Sequence, residues 1–152
     1  MRKGARAEER VGQAIEFALT LDTCAVAHHV ESIARVGDID HLVATPDGLW
    51  VIETKHGRVP KPEFRETLRR IAANVEGVRK WSPDVRVTGC LVFAEKQRER
   101  PRPTYEFGQE TIRAFADPKA LARALRKQAR GPGDSRKLKR RVWELGKLEA
   151  AD

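Results

Sequence analysis

Gly37-Asp38-Ile39-Asp40-His41-Leu42-Val43-Ala44-Thr45-Pro46-Asp47-Gly48-Leu49-Trp50-Val51-Ile52-Glu53-Thr54-Lys55 is the stretch that decides the fold. Two largely apolar runs, 36–45 and 49–55, flank Pro46-Asp47-Gly48, a strong turn signal. They read as a β-hairpin. Strand side chains alternate, so Asp38 and Asp40 share one face of the first strand and Glu53 and Lys55 share one face of the second. Two registers are open. A two-residue Asp47-Gly48 turn sets Asp40 opposite Lys55, with Glu53 diagonal. A three-residue Pro46-Asp47-Gly48 loop sets His41 against Glu53. Directly opposed Cβ atoms lie about 4.5–5.5 Å apart and diagonal ones about 7–8 Å. Convergence of Asp40 and Glu53 on one cation is therefore an expectation. The plain alternative is a cross-strand ion pair on a solvated face.

Working outward, residues 5–20 place Ala7, Val11, Ile15, Ala18 and Leu19 on one helical stripe. Glu8 falls on that stripe, where a carboxylate needs a partner. A wet position near the helix start suits it equally. Residues 24–31 read as a strand, with His28 and His29 on opposite faces. From Pro62 to Trp81, Phe64, Leu68, Ile71, Val75 and Val78 form one face of a long amphipathic helix. Pro62 suits its first turn and Ser82-Pro83-Asp84 ends it. Val85 to Phe93 reads as a strand buried on both faces. Glu95 to Pro103 is a charged loop, and Thr111 to Phe115 a short last strand. Asp117-Pro118 caps a helix through Leu121 and Leu125. Gly131-Pro132-Gly133 breaks it.

The order α-β-β-β-α-β-(β)-α predicts an α/β fold, a three-layer sandwich with a mixed central sheet. Residues 1–130 form one domain. Residues 131–152 are a basic tail that forms a further amphipathic helix or stays disordered. At 152 residues the chain is long enough to bury a single core. It contains no apolar run long enough to span a membrane. Met1 to Glu9 leads directly into a charged helix without an apolar leader, so the expected location is cytoplasmic. Cys24 and Cys90 sit in separate apolar runs and read as buried thiols in a reducing compartment. Trp50, Trp81 and Trp143 read as core or cap residues.

Thirty Lys+Arg against 22 Asp+Glu give a net charge of +8. Such a balance favours a polyanionic partner, and nucleic acid is the commonest. The cations are densest in the C-terminal third, including Arg126, Lys127, Lys137 and Arg140. A second cluster contains Lys96 and Arg98. Aromatics at 6% argue against single-strand stacking as the main design. Two or three carboxylates without a thiol suit Mg²⁺ or Mn²⁺ rather than Zn²⁺.

The hairpin closely resembles the NERD (nuclease-related) domain, which reads roughly D-I-D-H, a glycine turn, then V-I-E-x-K. Its opening G-x-x-G-E-x-x-V signature is similar to Gly4-Ala5-Arg6-Ala7-Glu8-Glu9-Arg10-Val11, with Ala7 in place of the second Gly. The resemblance covers about residues 4–94. It implies the α-β-β-β-α-β core of the PD-(D/E)xK nuclease superfamily and metal-dependent hydrolysis of phosphodiesters, foremost in DNA. It implies Asp40 and Glu53 as metal ligands, completed by the Thr54 carbonyl, with Lys55 as catalytic lysine and Glu8 as the acid of the first helix. Asp38 and His41 would support them. The N-P-x-x-Q motif common in the family stands here as Lys61-Pro62-Glu63-Phe64-Arg65, so Arg65 replaces Gln and is expected to contact phosphate. Arg69 is expected beside it. A homodimer would fit cleavage of both strands. A binding module without turnover is the second reading.

Overall fold

The computed structural model describes residues 3–19, 23–131, 133 and 136–150. Residues 1, 2, 20–22, 132, 134, 135, 151 and 152 lie outside them, and with them the expected extension of the first helix to residue 20 and the Pro132 of the expected break. The elements are α1 (Lys3–Ala18), β1 (Ala25–Val30), β2 (Ile39–Thr45), β3 (Gly48–Lys55), α2 (Lys61–Trp81), β4 (Val87–Phe93), β5 (Thr104–Phe107), β6 (Glu110–Phe115), α3 (Pro118–Ala129) and α4 (Arg136–Ala150). The six strands form one sheet in the order β1-β2-β3-β4-β6-β5. β1, β2 and β3 pair antiparallel, β3-β4 and β4-β6 pair parallel, and β5 returns antiparallel to β6. The sheet is mixed, as expected.

Each face carries two helices. Leu68, Ile71, Val75 and Val78 of α2 share a core with Val142 and Leu145 of α4 and with Leu42, Val51 and Leu91 of the sheet. Val11 and Ile15 of α1 share the other core with Leu121 and Leu125 of α3 and with Val43, Trp50 and Val92. The result is a three-layer sandwich. β4 is buried along nearly its whole length, which its central position between two parallel neighbours requires. Asp117 caps α3 by accepting the Ala120 N–H at 2.8 Å. β5 is an additional strand. It is a short sheet edge with half its residues exposed, so it carries no apolar run to announce it. α4 is a formed helix packed on β1 and β2.

The hairpin turn differs from both expected registers. Thr45 pairs with Gly48, so Pro46 and Asp47 make the two-residue turn and Gly48 already belongs to β3. Gly48 has φ 145°, and a Cβ there would lie 2.3 Å from the Arg86 carbonyl oxygen. That carbonyl accepts the Leu49 N–H at 2.9 Å. The close approach fixes where β3 begins, and the register follows.

Candidate active site

The β2–β3 ladder runs from Thr45↔Gly48 to His41↔Ile52. The next positions in that register are Asp40 and Glu53, directly abreast. Asp40 therefore faces Glu53, not Lys55, and His41 faces Ile52. At this point the Asp40 carboxylate accepts the Thr54 N–H at 2.8 Å. Lys55 Nζ stands 3.9 Å from the Glu53 carboxylate. All four residues lie where β2 begins and β3 ends, the opposite end of the sheet from the turn.

Burial gives this cluster its chemistry. Asp40 is 4% exposed. Removal from water pushes its carboxyl up to about 8, and the negative charges of Glu53, Glu8 and Asp38 push the same way against the Thr54 N–H. Glu53 is raised to about 6, again chiefly by burial, with Lys55 and Arg70 pulling it down. Glu8, reaching from α1, is raised by burial and lowered by His29. The site is thus a set of like charges short of countercharge. Thr54 has its hydroxyl oxygen buried without a partner.

The histidines depart from strand alternation. His29 takes φ 51°, which turns its ring to α1. Its Nδ1 lies 3.4 Å from Glu8 and 3.6 Å from Asp38. His28 also faces α1, with Nε2 3.0 Å from Glu16 and Nδ1 2.7 Å from His41 Nδ1. Both adjacent histidines point to one layer, against the expectation of opposite faces. His41 is held neutral, its pKa lowered to about 3 by burial and by His28. Its Nε2 has no partner.

Two residues that the sequence reading missed hold the site in shape. Asn74, 3% exposed on α2, accepts the N–H groups of Arg35 and Val36 at 2.9 and 3.0 Å and donates to the Val36 carbonyl at 3.1 Å. It ties down the segment that leads into Asp38 and Asp40. A signal was present: Asn74 is a polar residue within the stripe Ile71, Val75, Val78. Arg70, one turn earlier, acts on Glu53 and lies against Gly37. Gly37 has φ 62°, and a Cβ there would meet the Arg70 guanidinium at 2.7 Å.

The family model for NERD, the nuclease-related domain, matches residues 3–94. The chain belongs to the NERD family. The match spans α1 through β4 and so covers every carboxylate of the site. No curated protein and no solved structure matches the chain.

The cations expected to touch nucleic acid are divided in this NERD chain. Arg65 and Arg69 are exposed on the first half of α2, where Arg69 is engaged by Glu66. Lys96 and Arg98 follow β4, whose end is tied to the site by Ala94 N–H to Lys55 O at 2.8 Å. These four lie at the carboxylate end. Arg126 and Lys127 sit late on α3, with Arg126 stacked over Phe17 at the end of α1. Lys137 lies beside the β2–β3 turn, among Pro46, Asp47 and Arg86, and Arg140 follows one turn along α4. The structure places these last four at the turn end and does not bring them to Asp40 and Glu53.

Among the described residues, no three His, Cys, Asp or Glu side chains converge on one ion position. The site offers two carboxylates abreast. No helix is long and apolar enough to cross a membrane among the described residues. Cys24 and Cys90 are buried free thiols. Trp50 is buried, but Trp143 is 53% exposed and is no core residue.

Proposed function

We propose that the chain is a metal-dependent nuclease that hydrolyses phosphodiesters, foremost in DNA. The observation that carries this reading is the placement of Asp40 and Glu53 at adjacent register positions, Asp40 buried and Glu53 largely so, both lacking enough countercharge to stay ionised comfortably. Such a pair fits a hard divalent cation. Mg²⁺ is commonly held by one or two carboxylates, with waters and substrate phosphate oxygens completing its octahedron. Asp40 and Glu53 would hold Mg²⁺ or Mn²⁺, with the Thr54 backbone carbonyl as a further oxygen. When bound, the cation would polarise the scissile phosphate and acidify water.

The protein's own groups do the rest. The Thr54 N–H donates to one oxygen of the Asp40 carboxylate and so holds that side chain in place. Lys55, on the same strand face as Glu53, orients the attacking water and stabilises charge on the phosphorane. Glu8 reaches the cluster from the opposite layer and assists the cation or the attacking water. Arg65, Lys96 and Arg98 contact the backbone on either side. Asp38 and His41 support this set. Asp38 shares His29 with Glu8, and neutral His41 packs against Gly12 of α1.

A binding module without turnover is the second reading. It is favoured by Arg65, which stands where the family often has Gln, and by the short connection His56-Gly57-Arg58-Val59 after Lys55. Incubation with supercoiled, linear and single-stranded DNA in Mg²⁺, Mn²⁺ or EDTA separates the two. Metal-dependent cleavage lost in Lys55→Ala and in Glu53→Ala is the expected result. Binding without cleavage in every lane would replace the nuclease with the module.

A further inference from the structure

A groove leaves the carboxylate site beside Lys55. It begins in a space of about 480 Å³ beside Lys55, walled by Arg58, Val59, Thr67 and Arg70. Through Arg58 and Val59 it continues into a second space of about 430 Å³. There the floor is apolar. Tyr105 of β5 meets Phe64 of α2 edge to face with ring centroids 4.8 Å apart, and Phe93 of β4 closes the back. The rim of this second space is cationic, with Arg58, Lys61, Arg98 and Arg100 against Glu99 alone among its described lining residues, whereas Glu63 and Glu66 line the first space with Arg58 and Arg70. Proline at 60 and 101 stiffens both walls.

Duplex nucleic acid has no use for such a floor. Its bases are stacked inside, and it presents phosphates and sugars to an approaching surface. An unpaired base has a free π-face and stacks on aromatic rings, while its phosphates take guanidinium contacts. Both spaces are of the size that holds small organic ligands, about 300–1,000 Å³. Composition alone hid this site. The chain is poor in aromatics, but the fold gathers Phe64, Phe93 and Tyr105 at the end that carries Lys55.

We propose that this groove seats the unpaired nucleotides of a single-stranded extension running from the Asp40–Glu53 site past Arg58 to Tyr105. The chain would then act on nucleic acid that carries an unpaired segment, which rests on the nuclease reading above. Tyr105 is a specificity residue in this scheme and takes no part in bond breaking.

The test is a binding ratio measured in EDTA, so that turnover plays no part. Fluorescence anisotropy gives the affinity of the full chain for a blunt duplex and for the same duplex with a short thymidine extension. The extended duplex should bind about tenfold tighter, the order of one base stacked on an aromatic side chain. Tyr105→Leu, which keeps apolar volume on the strand, should bring the ratio near one. Tyr105→Phe should keep it. Arg98→Ser with Arg100→Ser should flatten the salt dependence for the extended duplex. A ratio near one in the natural chain, or a ratio that survives Tyr105→Leu, overturns the proposal. So does polyglutamate displacing the extended duplex as effectively as a thymidine oligonucleotide, because the groove would then take acidic polypeptide. Cleavage of blunt duplex in Mg²⁺ is scored separately. A protein that cleaves with a ratio near one keeps the nuclease reading and loses the groove. A tenfold ratio in a protein that cleaves nothing does the reverse.

Discussion

Asp40→Asn should stabilise the metal-free protein, and by an amount that depends on pH. Asn keeps the carbonyl oxygen that accepts the Thr54 N–H and removes the buried charge. In the folded chain the Asp40 carboxyl is pushed up to about 8. In the unfolded chain it returns to about 3.9. A raised carboxyl makes the native state hold its proton longer, so this group's contribution to stability is greatest at low pH. It is lost as pH rises from the unfolded value through the folded one. Asn mimics the protonated form at every pH. Between pH 5 and pH 8 the advantage of Asn should therefore grow by up to about 1.36 kcal/mol per unit, a ceiling of about 4 kcal/mol. The repulsion from Glu53 is already contained in that ceiling; relaxation of the loop around Asp38 when Asp40 ionises brings the expected gain down to about 2–3 kcal/mol. Urea unfolding in EDTA, followed by tryptophan fluorescence, to which the buried Trp50 contributes, measures it at both pH values. A difference equal at pH 5 and pH 8, or a loss of stability at pH 8, would refute the account of Asp40 as a strained buried charge.

Other consequences follow from the same structure. Asn74→Ala removes three hydrogen bonds to the backbone before Asp38 and leaves their partners half-wet. A loss of about 2–4 kcal/mol in urea unfolding is expected, with weaker cleavage than the stability loss alone explains. Gly48→Ala forces a left-handed φ and a contact with the Arg86 carbonyl, and should cost at least about 2 kcal/mol in the same assay. Mg²⁺ should raise the thermal midpoint of the natural chain by the equivalent of about 1–3 kcal/mol at tens to hundreds of Kd. The rise should vanish in Asp40→Ala and in Glu53→Ala; a rise that persists in both places the ion elsewhere.

The sequence exposed most of the architecture because apolar spacing in α1, α2, β4 and α3 was regular and their ends carried strong punctuation. It could not set the hairpin register. Three turn-forming residues stand together, and the choice among them rests on the contact of Gly48 with Arg86, far along the chain. Nor did it reveal β5, whose alternation of Thr104, Tyr105, Glu106 and Phe107 is only four residues long and follows a charged, proline-containing stretch. The histidine pair misled because a left-handed backbone at His29 is a tertiary outcome. The cations were countable, but not their destinations. Only the path through β6, α3 and α4 carries Arg126, Lys127, Lys137 and Arg140 to the turn end. The carboxylates were legible because they lie within one hairpin.

That locality has a kinetic meaning. A hairpin closed by a two-residue turn forms in about 1–10 μs, whereas β3 meets β4 only after the long α2 crossover. Asp40 and Glu53 thus come abreast early, while both are still solvated and their repulsion is screened. Were α1 and α2 to dock on the native side of the folding barrier, the desolvation that lifts their pKa values would be absent from the transition state. Neutralising either charge is accordingly expected to slow unfolding and to leave the folding rate nearly unchanged.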